Sequence, residues 1–322
     1  MEDLDTIEKE CNSSRMSTVK ACFPASRRML GVITSATVVT LSLWVNPTLA
    51  KDPFRATNQH QIGDQTEAAF QALFKDGNYK AAEGYLQKAE SSEPNEPLAY
   101  AMKASLAYTK QDLKSFSSYG QKTLETARQL SAKDPLRGNL YAAVGHFLQG
   151  AAVLTREGTL RGTPQALSEL RRVYEYLDKA EAVSSTDPEL NLIRGYMDLM
   201  LAVNLPFSNP EQAIQRLQKF AGPRYLAERG LALGYRDLNQ YTEAIEFVDR
   251  ALQVTSDNPE LFYLKAQILS SQGKKQNDKS KLREAVDNFD KAIAKKEQLP
   301  ARLVKQIERE RRKAAQRLGN PS

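Results

Sequence analysis

One pattern of four residues recurs along this chain and constrains its fold more than any single motif. Tyr241, Ala244, Val248 and Ala251 stand at offsets 0, 3, 7 and 10, one stripe of a helix. The same offsets hold at Tyr79, Ala82, Leu86 and Ala89, and again at Leu282, Ala285, Phe289 and Ala292. Looser copies begin at Leu113, Leu170 and Pro210, so successive copies are separated by 34, 57, 40, 31 and 41 residues. Each copy follows a second apolar-periodic run, at about 66–75, 97–109, 136–155, 189–203, 223–237 and 259–272. The repeating unit is therefore a pair of helices, used six times.

Prolines punctuate the pairs. Asp134-Pro135, Asp187-Pro188 and Asn258-Pro259 precede first helices, and Thr163-Pro164 and Asn209-Pro210 precede second helices. Proline at the first helical position loses no hydrogen bond, and the side chain before it can cap the free amides. All five dipeptides are expected to start helices. The loop "EGTLRGTP" is expected to separate the third pair's helices, and the extra residues "KKQNDKS" to enlarge the turn of the sixth.

With these residues placed, the chain resembles the tetratricopeptide repeat (TPR) family, whose unit is 34 residues and two antiparallel helices. The best copy, about 225–258, carries Leu231 and Ala232 as the large and small pair of its first helix. Tyr235 is its later aromatic, Tyr241 follows the turn, and Ala244 and Ala251 are the small residues of its second helix. The resemblance implies an all-α, right-handed helical solenoid of about six pairs over residues 66–299, closed by a capping helix at 300–318. Such pairs cannot bury their apolar faces singly and must stack.

The resemblance also implies a concave groove lined by the first helices. Its positions fall on Arg229, Leu233, Arg236 and Asp237, on Tyr263, Gln267 and Ser270, and on Ala101, Ser105 and Tyr108. Arg229 and Arg236 lie seven apart on one face, and arginine with tyrosine suits peptide carboxylates and aromatic side chains. The expected partner is a protein segment or helix held in that groove. The Lys and Asn pattern of chaperone-tail clamps is missing at Ala101 and Ser105. The chain resembles the exported TPR proteins of Gram-negative-type bacteria, including photosynthetic, cyanobacterial-type ones.

Residues 1–50 read as an export segment. Arg27 and Arg28 precede an uncharged apolar stretch at 29–45, and Thr48 and Ala50 are small residues at a cleavage position, so the mature chain is expected to begin at Lys51. The acidic start "MEDLDTIEKE" leaves Met16 and Met29 as alternative initiators, the paired arginines leave twin-arginine export open, and an uncleaved anchor is the other reading. The expected location is the periplasm or thylakoid lumen. Both cysteines, Cys11 and Cys22, precede the cleavage position, so the mature chain has no thiol chemistry. Residues 51–65 are expected to be a polar, mobile lead-in.

At the other end, Leu303, Ile307, Ala314 and Leu318 form an apolar stripe, with Arg302, Lys305, Arg309, Arg312 and Lys313 opposite. The basic side is either a solvated face or a dock for an acidic protein or an anionic envelope surface. That surface tether is the second functional reading.

Signals of catalysis are missing: there is no glycine-rich phosphate loop, no HExxH and no GxSxG elbow, and the only histidines are His60 and His146. No cofactor, metal or small-molecule substrate is expected, and an enzyme of unknown type is the third reading. The net charge of +6 permits nucleic-acid binding, but export and the lack of aromatics among the basic runs argue against it.

Overall fold

In the computed structural model, residues 52–203 and 209–319 are described; the expected export segment lies outside them. The described chain is helical, and every expected pair forms. Helix α1 (Asp64–Phe70) runs on through a π-turn at Gln71–Lys75 and pairs with α2 (Tyr79–Ser92). Helices α3 (Pro97–Thr109) and α4 (Leu113–Leu130) form the second pair. One helical stretch, α5 (Pro135–Val183), supplies both arms of the third. Then come α6 (Pro188–Ala202) with α7 (Pro210–Lys219), α8 (Arg224–Asp237) with α9 (Tyr241–Val254), and α10 (Pro259–Gln276) with α11 (Lys279–Ile293). A short 3-10 turn, Lys296–Gln298, leads to the last helix, α12 (Ala301–Gly319).

The turns repeat as faithfully as the helices. In four pairs a residue of positive φ stands two positions before the second helix: Gly77, Gln111, Asn239 and Asn277. The next amide then reaches back to the end of the first helix, from Asp112 to the Ala107 carbonyl at 3.0 Å, from Gln240 to Tyr235 at 2.8 Å and from Asp278 to Gly273 at 2.9 Å. Side-chain caps fix the helix starts: Asp134 accepts from the Arg137 amide, Asp187 from Leu190, and Asn258 from Glu260 and Leu261. Each cap satisfies amides that the first turn leaves free.

The repeated stripe faces the core. Ala82, Ala89, Val173, Leu177, Ala180, Ala244, Val248, Ala251, Ala285 and Ala292 have no exposed surface. Small residues at these crossings let neighbouring helices come close, which is why alanine recurs there. One close approach joins α4 to α5, where a Cβ on Gly145 would lie 2.8 Å from the Leu124 side chain and 2.9 Å from its backbone.

Two turns depart from expectation. Thr163-Pro164 does not start a helix; the third pair reverses earlier, at Gly158, whose φ of +75° suits glycine and breaks the helical run. The residues after it are helical, and the Thr163 hydroxyl donates to the Thr159 carbonyl instead of capping the next turn. In the sixth pair, Lys274, Lys275 and Gln276 extend α10 rather than the turn, and Asn277 makes the reversal.

The lead-in is also not loose. Phe54 and Ile62 are buried, and the Phe54 ring packs edge-on against Phe70 with centroids 4.8 Å apart. The Asp52 carboxylate is buried and accepts from the amides of Phe54 at 2.9 Å and His60 at 3.0 Å, which folds the segment back on itself. A polar composition suggested mobility, but two apolar anchors and one internal cap order it. Among the described residues no helix is long and apolar enough to cross a membrane.

Candidate functional site

The first helices of successive pairs lie side by side and form one face, called the inner face below, whose helix starts are not open to a ligand. Arg55 of the lead-in reaches Asp187 at 2.8 Å and Glu189 at 3.2 Å, and it also pairs with Asp52. Arg137, 1% exposed, is bidentate on Glu96 at 2.8 and 3.3 Å and lies 3.4 Å from Glu189. The Tyr141 phenol donates to Glu189 at 2.5 Å. Burial pushes the Glu189 carboxyl up, against the pull of Arg137 and Arg55. Burial opposes the Arg137 charge, but Glu189 and Glu96 more than offset it and raise the guanidinium. The result is a buried ionic seam between the second, third and fourth pairs, sealed by the lead-in.

A second seam joins the first pair to the last two. Arg229 of α8 meets Glu260 of α10 at 2.5 Å, each 4% exposed, and the Tyr79 phenol of α2 donates to the same carboxylate. The Asn258 amide donates to the Lys75 carbonyl at 3.2 Å. The turn of the first pair thus lies against the starts of α8 and α10, and burial pushes the carboxyl of Asp76 in that turn up to about 6. A cleft of about 660 Å³ opens beside the lead-in, walled by Arg55, His60, Lys133, Asp134, Ser184 and Asp187. Its arginine and its histidine are already bound to Asp187 and Asp134.

The inner face is different at its C-terminal third. Arg236 of α8 donates to Gln267 of α10 at 3.0 Å. Gln267 donates to the Tyr263 oxygen at 2.7 Å and to Glu310 of α12 at 2.9 Å. Gln306 of α12 completes the set, donating to Tyr263 at 2.8 Å and to Glu310 at 3.2 Å. This ladder crosses α8, α10 and α12, runs through the buried Tyr263 and the half-buried Gln267, Gln306 and Glu310, and meets solvent at Asp237, whose carboxylate receives Arg236 at 2.8 Å. Burial pushes the Tyr263 phenol up, so it remains the proton-bearing member.

The expected groove residues therefore divide. Arg236, Tyr263 and Gln267 come together as expected, and Leu233 lies half-buried on the same helix as Arg236. Arg229 does not join them: it is used in the buried seam and presents no surface to a partner. Tyr108 stands apart, its ring 5.3 Å from Phe116 in a separate cluster of the second and third pairs. The sequence reading missed Gln306, Glu310, Arg137 and Arg55. Arg137 did carry a signal, since a cation in a first helical turn opposes the helix dipole and implies a compensating partner.

On the outer side of α12, Arg302, Lys305, Arg309, Arg312 and Lys313 are all exposed, while Ile307 and Ala314 are buried in the main core, as the amphipathic pattern required. The other histidine, His146, is 2% exposed, sits 2.7 Å from Glu169 and stacks on Tyr176. Among the described residues no group of three or more His, Cys, Asp or Glu could hold a metal ion.

The fold is thus a helical solenoid of two-helix repeats whose first pair is tied to its fifth and sixth. No family model matches the chain, and no curated protein matches it. Among solved structures the chain is similar to a thermophilic TPR protein of Thermus thermophilus, at 21% identity over 74% of this chain and 91% of that one, with a TM-score of 0.29. The helix-pair assignment rests on the repeated caps, turns and stripes described above.

Proposed function

We propose that this protein is an exported scaffold that binds a segment of another protein along the C-terminal third of its inner face, in the periplasm or thylakoid lumen. The observation that carries the reading is the ladder from Arg236 to Glu310. It lines up a guanidinium, two carboxamides, a phenol and two carboxylates across three helices spaced roughly 8–10 Å apart. An extended segment laid across them can exchange backbone hydrogen bonds with Gln267 and Gln306 and place a carboxylate against Arg236. The surface is preformed, so little ordering cost opposes binding. A role in assembling or organising a membrane or envelope complex fits an exported protein of this kind.

The test is photo-crosslinking in cells from position 237, at the solvent edge of the ladder, with the exposed position 121 of α4 as the control. A protein adduct from 237 that disappears with Arg236→Ala supports the reading. Adducts that are the same from both positions, or none from 237, would sink it.

A further inference from the structure

The basic side of α12 is a second surface, separate from the inner-face ladder. At 3.6 residues per turn, Arg302, Lys305, Arg309, Arg312 and Lys313 fall within about 100° of arc. The stripe is about 16 Å long at the helical rise per residue. No acidic residue interrupts it, and none of the five forms an ion pair among the described residues. Off the stripe, Arg311 is held by Asp290 at 2.6 and 2.8 Å. Elsewhere on the surface, Arg250, Lys265, Lys179 and Lys295 each have a carboxylate.

We infer that this stripe is a docking surface for an anionic lipid bilayer. Three observations choose that occupant over an acidic protein. The apolar side of α12 is spent on the core through Ile307 and Ala314, so the helix cannot insert and can only lie against a charged plane. A stable protein interface has an apolar centre, yet the large exposed apolar side chains, Tyr85, Leu113, Leu160, Val183, Phe220 and Val254, include none on α11 or α12. The stripe also caps the last repeat from outside, where long Lys and Arg side chains can all reach one flat surface. Binding is then purely electrostatic, fades over a Debye length, and gains about five-fold per cation near an anionic leaflet.

The experiment is co-sedimentation of the full chain with two kinds of vesicle, phosphatidylcholine alone and phosphatidylcholine containing phosphatidylglycerol. The readout is the excess on the anionic vesicles and its dependence on the five stripe positions, since the stretch at 29–45 is the same in wild type and variants. Wild type is expected to show an excess that is lost between about 0.05 and 0.5 M salt. The variant R302Q/K305Q/R309Q/R312Q/K313Q is expected to lose it, and K305Q/K313Q to lose about 25-fold. The five positions are exposed, so circular dichroism should be unchanged. The charge-conserving R302K/R309K/R312K is expected to keep the excess, because a lipid plane is indifferent to guanidinium geometry while a carboxylate dock is not. No excess for wild type, an excess that survives the five substitutions, or one lost in the Arg→Lys variant would each overturn the inference. Stripe-dependent binding of polyglutamate with no vesicle preference would instead assign the surface to an acidic protein. None of these results bears on crosslinking from position 237.

Discussion

Replacing Arg229 by methionine tests the closure of the solenoid directly. The change keeps the stem but removes the cation 2.5 Å from the Glu260 carboxylate, which is 4% exposed and also receives the Tyr79 phenol. A buried charge stripped of its partner costs about 3–5 kcal/mol. Urea unfolding at pH 7 should therefore show a loss of about 3–5 kcal/mol. Arg229→Met with Glu260→Met should recover most of the loss, since an apolar pair is as well tolerated as a buried ion pair.

The distinctive readout is hydrogen exchange. Because Tyr79 lies 181 residues from Glu260, the substitution should raise exchange in α1 and α2 as well as in α8 and α10. Exchange confined to the fifth and sixth pairs, or a loss under about 1 kcal/mol, would refute the closure.

Other expectations follow from single sites. Phe54→Ala should cost about 3–5 kcal/mol and expose the lead-in to limited proteolysis near Ala56–Gln59, because the ring is buried against Phe70. Ala244→Leu should overpack the crossing it fills and cost about 1–3 kcal/mol, read as a lower thermal midpoint. Asp76 has a folded value of about 6, raised above its ordinary 3.8, so its ionisation weakens the fold as pH rises through that window. Asp76→Asn should accordingly stabilise the protein above pH 6, by an amount of order 1 kcal/mol after discounting partial exposure, and have no effect near pH 3.

The helices were legible because local chemistry places them. A stripe at offsets 0, 3, 7 and 10 has one apolar solution, and Asp134, Asp187 and Asn258 cap their helices whatever lies across the fold. Thr163-Pro164 misled because the dipeptide is equally compatible with the interior of a helix once Gly158 has already turned the chain. The ladder was half legible. Arg236, Tyr263 and Gln267 follow from the face of each first helix, but Gln306 and Glu310 sit on a helix whose amphipathic pattern drew attention only to its apolar and basic sides.

Closure was not legible at all, and the reason is range. Arg55 finds Asp187 and Glu189 across 132 and 134 positions, and Asn258 finds Lys75 across 183. No periodicity encodes such pairs, and a charge that will be buried looks the same in a sequence as one that stays in water. The consequence reaches function. An open solenoid offers its whole inner face, so Arg229 and Arg236 looked equivalent, seven apart on one helix. Once the lead-in and first pair cover the helix starts, the two arginines have opposite roles: Arg229 holds the array closed, while Arg236 reaches the solvent edge through Asp237. A partner that needed both would first have to displace the first pair and break the Tyr79 contact. Binding limited to the Arg236 ladder needs no such opening, and this difference places the proposed contact in the C-terminal third of the inner face.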